Sequence, residues 1–140
     1  MSNVRVLLAS VLIALIAKQA WAVLPNRSAE NLRQSASHIV TGKVKAIYKY
    51  TEKNPRQHRR RFVAAVHVTQ VDKGSRIQQG DLVYVRYWRI AWQREPIMGP
   101  AGHHEIPEVG QITTAYVERA EDGGYDVLEP NGFQFPKRGR

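Results

Sequence analysis

A chain of 140 residues with 21 lysines and arginines against 12 acids, a formal net charge of +9 and no cysteine is one domain's worth of polypeptide. Disulfide stapling, thiolate metal sites and thiol catalysis are excluded. The charge favours anionic partners and solubility and is silent on the fold.

Residues 1–22 read as a secretory signal peptide. Arg5 supplies the positive n-region, an apolar stretch interrupted only by Ser10 follows, and Ala20-Trp21-Ala22 is an A-x-A cleavage site. The apolar run is shorter than the roughly 20 residues a bilayer span requires, so cleavage rather than anchoring is expected, with no stable membrane span afterwards. The leader takes 2 of the 21 basic side chains (Arg5 and Lys18), leaving 19 against 12 acids, net +7. An exported protein, periplasmic or extracellular, is the expected result.

Residues 23–37 form a lead-in and a short helix. Ser28 is placed to cap a helix over 29–37, Glu30 sits in its first turn, and Leu32 and Ala36 share a face. From His38 the hydrophobic period becomes two. Over 39–50, Val40, Val44, Ala46 and Tyr48 fall on one face and Thr41, Lys43, Lys45 and Lys49 on the other, with Gly42 a bulge or bend. Residues 51–58 contain Asn54-Pro55 and read as a loop. A second strand over 61–71 is apolar on both faces and therefore central, with Phe62, Ala64, Val66 and Val68 on one of them.

Asp72-Lys73-Gly74 and Gln78-Gln79-Gly80-Asp81 are turns, and Ile77 between them is placed to plug a barrel end. Residues 82–89, rich in Val, Tyr and Trp, are a third strand. Residues 90–110 carry three prolines and read as a long loop, a kind of segment that is usually functional or disordered. Residues 111–119 form a fourth strand with Ile112, Thr114 and Tyr116 alternating. Residues 125–128 form a short fifth after Asp122-Gly123-Gly124. Pro130-Asn131-Gly132 turns the chain before Phe133 and Phe135, and 136–140 form a basic tail. Five strands over 38–135 predict an all-β domain: a small five-stranded OB-like antiparallel barrel with a short N-terminal helix, the alternative being a β-sandwich.

Three stretches together carry a family resemblance: His38-Ile39-Val40-Thr41-Gly42-Lys43-Val44, then Val71-Asp72-Lys73-Gly74, then Pro107-Glu108-Val109-Gly110 ahead of a strand. They resemble secreted OB-like barrels, the group of the netrin-type module and the tissue inhibitors of metalloproteinases. They are similar also to uncharacterised secreted bacterial β-barrel domains, with Gly80-Asp81-Leu82-Val83-Tyr84-Val85-Arg86-Tyr87-Trp88 and Pro130-Asn131-Gly132-Phe133 as the text expected to match. The cysteine framework of the inhibitors is absent, and Val23 stands where they present a cysteine to a metal. The resemblance thus implies a fold and a non-enzymatic habit, not protease inhibition.

Two clusters point to binding. Lys43, Lys45, Lys49, Lys53, Arg56, Arg59, Arg60 and Arg61 are opposed only by Glu52, a composition suited to a polyanion or to a solvated hairpin. Arg86, Trp88, Arg89, Trp92 and Arg94 interleave aromatic and guanidinium groups, which stack on rings and grip carboxylates or phosphates, while tryptophan also serves as ordinary packing. His103-His104-Glu105 is the one tight group of potential metal ligands, but adjacent residues on extended chain point apart. No serine lies in a nucleophile-elbow context and no acids are periodically paired. The expected function is an exported, non-enzymatic domain binding a macromolecular partner, a protein or an anionic polymer of the cell envelope. Its site would comprise Arg86, Trp88, Arg89 and Trp92 with Lys43, Lys45, Arg59, Arg60 and Arg61, and it would use no cofactor. The alternatives are a polyanion binder, for envelope polysaccharide or extracellular nucleic acid, and a metal-dependent enzyme built on His103-His104-Glu105.

Overall fold

A computed structural model describes residues 24–94 and 101–137. The signal-peptide assignment falls outside them, as does part of the 90–110 segment. A short helix, α1 (Ala29–Ser35), precedes six strands: β1 (His38–Lys53), β2 (Gln57–Lys73), β3 (Leu82–Gln93), β4 (Ile112–Arg119), β5 (Tyr125–Val127) and β6 (Phe133–Gln134). No helix among the described residues is long and apolar enough to cross a membrane.

The helix starts where Ser28 predicts, its Oγ accepting from the Asn31 amide at 3.1 Å. It stops two residues short of the expected end, because Ala36 is already extended and its N–H closes on the Leu32 carbonyl. Leu32 and Ala36 are buried together against Ile39 and Leu128.

The strands close in the order β1-β2-β3-β5-β4 and back to β1, with β6 also paired to β4. This is a five-stranded OB-like barrel plus one strand. One contact corrects the all-antiparallel expectation: β3 and β5 are parallel, through Val85–Tyr125 and Arg86–Asp126, so the barrel is mixed. The core holds the predicted β2 face, Phe62, Ala64, Val66 and Val68, with Val83 and Val85 opposite, and Ile77 is buried in it as expected. In β4 the buried face is Thr113, Ala115 and Val117, leaving the alternating Ile112, Thr114 and Tyr116 on the other side.

Strand extends into two expected loops. β1 runs to Lys53 and β2 begins at Gln57, so the polar stretch between them shrinks to a turn at residues 54–56. Asn54 makes this turn by accepting with Oδ1 from the amides of Arg56 (2.9 Å) and Gln57 (2.8 Å). β3 likewise continues to Gln93, four residues into the proline-containing segment. Polar residues hid the first extension, since hydrophobic alternation reports burial and residues 51–53 are exposed; the second, Ile90-Ala91-Trp92-Gln93, was masked by the prolines and glycines that follow it in the sequence. β4 pairs with β1 only over 38–43 and β5 with β3 only at 85–86. Past those points β1, β2 and β3 continue together as a three-stranded arm.

Candidate binding site

The two faces of this arm differ in charge, and the register decides which residue lies on which. Directly opposite residues of an antiparallel pair project to one side of the sheet. On the side continuous with the barrel interior, three rows cross β1, β2 and β3: Lys49–Phe62–Tyr87, Thr51–Arg60–Arg89 and Lys53–His58–Trp92. On the outer side the rows are Tyr48–Val63–Arg86, Tyr50–Arg61–Trp88 and Glu52–Arg59–Ile90.

The outer side neutralises its own charges. Arg61 Nε donates to Glu52 at 2.8 Å. Arg59 lies over the Trp88 ring, 4.1 Å from its centroid, and its Nε is buried without a partner among the described residues. Trp88 is 9% exposed and its indole N–H donates to the Glu129 carboxylate. Arg86 holds Asp122 with both Nη atoms (2.6 and 3.1 Å) and Asp126 with Nε (2.6 Å). These bonds, the one to Asp122 foremost, hold the Arg86 guanidinium protonated even more firmly than usual. In turn they pull the Asp122 carboxyl below its ordinary range. Tyr50, Arg61, Val63, Arg86, Trp88 and Glu129 line a groove of about 450 Å³ on this side.

The barrel-side face of the arm leaves its charges unmatched. Lys49, Lys53, Arg60 and Arg89 are all exposed. The ion pairs among the described residues join Arg61 to Glu52 and Arg86 to Asp122 and Asp126, and none reaches these four. Glu105 and Glu108 line a hollow with Arg89 without pairing to it. Arg89 instead donates to the His104 carbonyl at 3.1 Å. Trp92 is 47% exposed and packs at 4.9 Å on the ring of His58.

The structure therefore divides the residues singled out from the sequence. Arg86 and Trp88 do share a face, but both are engaged within the fold. Trp92 is on β3 rather than in a loop, and it stands with Arg60 and Arg89 on the opposite side of the arm. Arg59 and Arg61 face outward, so the run Arg59-Arg60-Arg61 is split by the pleat. Lys43, Lys45 and Lys49 were expected on one face. A bulge between Val44 and Ala46 places Lys45 as the extra residue and shifts the phase by one. Lys43 stays outside, opposite His67, while Lys49 turns to the Phe62 side with Ile47, which takes the core position expected for Ala46. Lys43 is about 20 Å along the strand from the Tyr50–Arg61 row. Lys49 and Lys53 belong to the basic cluster visible in the sequence, but to a different grouping within it. Their spacing of four, with Thr51 between, is the signal that aligns them once the strand is known to reach 53.

The histidine group does not converge. His103 is buried, with Nε2 donating to the Val127 carbonyl (2.8 Å) and Nδ1 accepting from the Trp88 amide (3.3 Å). His104 turns outward to Asn26 Oδ1 (2.9 Å). Among the described residues no three His, Asp or Glu side chains are placed to hold a metal ion. A serine–histidine contact, Ser37 Oγ to His38 Nδ1 at 2.9 Å, joins strands: Ser37 Oγ also accepts from the Arg119 amide, and His38 Nε2 donates to the Ser75 carbonyl.

Compared with protein-family models, curated proteins and solved structures, the chain finds no match.

Proposed function

We propose that the chain is a non-enzymatic binding module, working outside the cytoplasm, that captures an anionic macromolecule on the barrel-side face of its three-stranded arm. One observation carries this reading. Arg60 stands directly opposite Arg89, flanked by Lys49 and Lys53, with no carboxylate of the described residues paired to any of them. Like charges directly across a strand pair are destabilising. A bound anion removes that repulsion, and each neutralised site releases counterions. Trp92, half-exposed at the end of the same face, supplies an aromatic surface for stacking inside the cationic rim. The mechanism is thus aromatic anchoring within a basic surround, with Lys49, Lys53, Arg60, Arg89 and Trp92 as its members.

Titration with dextran sulfate over a range of salt concentrations tests it. Affinity is expected to fall linearly on a log–log plot, and Arg60→Gln with Arg89→Gln to reduce the slope by about 2, one for each cation removed. Lys43→Gln with Lys45→Gln is expected to leave the slope near wild type. A flat salt dependence, or an equal effect of the two double variants, overturns the reading.

A further inference from the structure

The same arm carries a second unsatisfied feature, the open edge of β1. Pairing with β4 ends at Lys43, and the last backbone bonds on that edge run from the Val44 amide to Gln111 (2.9 Å) and from the Gly110 amide to the Val44 carbonyl (2.8 Å). Over residues 46–53, no backbone group of the described residues bonds to that edge, while the other edge of the strand is fully laddered to β2. Eight residues give an edge of roughly 26 Å, with about four residues presenting N–H and C=O outward.

We propose that this edge takes up an extended acidic peptide as an added strand of the arm. The inference rests on the anionic partner proposed above and names its class. Strand addition draws its affinity from main-chain hydrogen bonds and its specificity from alternate side chains. Here the alternation is explicit. Lys49, Thr51 and Lys53 lie on the barrel side; Tyr48 and Tyr50, 59% and 57% exposed, lie on the outer side. The one acid of the edge, Glu52, is held by Arg61. A strand laid alongside is matched when it carries carboxylates facing Lys49 and Lys53 and apolar side chains facing the tyrosines.

A second copy of the chain fits poorly. Antiparallel self-pairing about Thr51 sets Lys49 of one chain against Lys53 of the other, like charges in direct opposition. Lysines on an edge strand are a recognised guard against such self-association, and the guard is selective: it repels this chain and attracts an acidic one.

A capped decapeptide alternating Glu and Val is the probe. A version N-methylated at every second residue keeps its charge and loses the donors of one edge. Tight binding of the first, at least 10-fold weaker binding of the second, and slowed hydrogen exchange at amides within 46–53 are the expected results. Lys49→Glu with Lys53→Glu, both at exposed positions, is expected to reverse the preference toward an alternating Lys–Val peptide. If both Glu–Val peptides and dextran sulfate bind alike, with exchange at 46–53 unchanged, strand addition is overturned and the cationic face stands. If no anionic probe binds, both readings fall.

Discussion

Tyr87 buries its ring well and its hydroxyl badly. The ring stacks on Phe62 at 5.0 Å and meets Phe133 edge-on at 4.9 Å, while the hydroxyl is buried with no hydrogen-bond partner among the described residues. A buried donor left unmade costs about 1–3 kcal/mol, more than the bond would have contributed net. Tyr87→Phe keeps the ring contacts and deletes the orphan, so it is expected to stabilise the protein by about 1 kcal/mol in chemical denaturation. The hydroxyl has a pH consequence as well. Burial pushes it from its ordinary 10.0 up to about 12. The unfolded chain ionises first, so the stability tied to the neutral form is complete below about pH 10 and is lost as pH rises through about 12. Tyr87→Phe is expected to lack this component of the alkaline decline, and an identical pH dependence in the two proteins would show that the hydroxyl does not titrate as described.

At the scale of the strand, the pairing of β1 with β2 shifts register at three points, Ile39/Val40, Thr41/Gly42 and Val44/Ala46. Gly42 sits at the second. An added Cβ would lie 2.2 Å from the carbonyl oxygen of His67, a backbone atom that cannot move aside without breaking the ladder to β2. Gly42→Ala is expected to cost about 2–3 kcal/mol by overpacking, measured by thermal or denaturant unfolding. Unchanged stability would mean that the strand relaxes at this point. Gly42 was legible in the sequence as a bulge or bend because glycine within an alternating run has few other uses; the shift is there, with Thr69 of β2 as the extra residue opposite. The third shift, at Lys45, was not legible. A bulge changes the phase of a strand without changing its composition, and no residue type marks it here. That one residue accounts for the misassigned face of Lys49, hence for the difference between the expected strip and the observed cationic face. The helix cap, the central strand and the plugging Ile77 were readable because each depends on local chemistry or on burial. The far end of the arm was not: residues 51–53 and 57–60 are polar and pair through their backbones, and 90–93 run into a stretch whose prolines read as loop.

For the molecule as a whole, closure of the barrel concentrates at one thin seam. β1 and β2 are laddered along nearly their full lengths, but β3 and β5 share only Val85–Tyr125 and Arg86–Asp126. Side chains make up the difference. Arg86 clamps the 120–124 turn and β5 to β3 through Asp122 and Asp126. One step further along, His103 spans the gap between the Trp88 amide and the Val127 carbonyl where the strands have parted. An arginine shared between two acids reads in sequence as a binding group; here it is a clasp. The clasp sets an acid limit. Asp122 titrates below its ordinary value because Arg86 favours its charged form, so its contribution is complete above the unfolded value of about 4 and is lost as pH falls through the lowered one. A carboxyl-carbon NMR titration is expected to give Asp122 a midpoint below that of an ordinary aspartate, and Arg86→Gln to raise it. The same variant is expected to speed hydrogen exchange at Tyr125 and Val127 near neutral pH while leaving Val66, in the centre of β2, protected. An ordinary midpoint for Asp122 in the wild-type protein, or uniform loss of protection across both sites in the variant, would mean that the seam is not an independently opening part of the barrel.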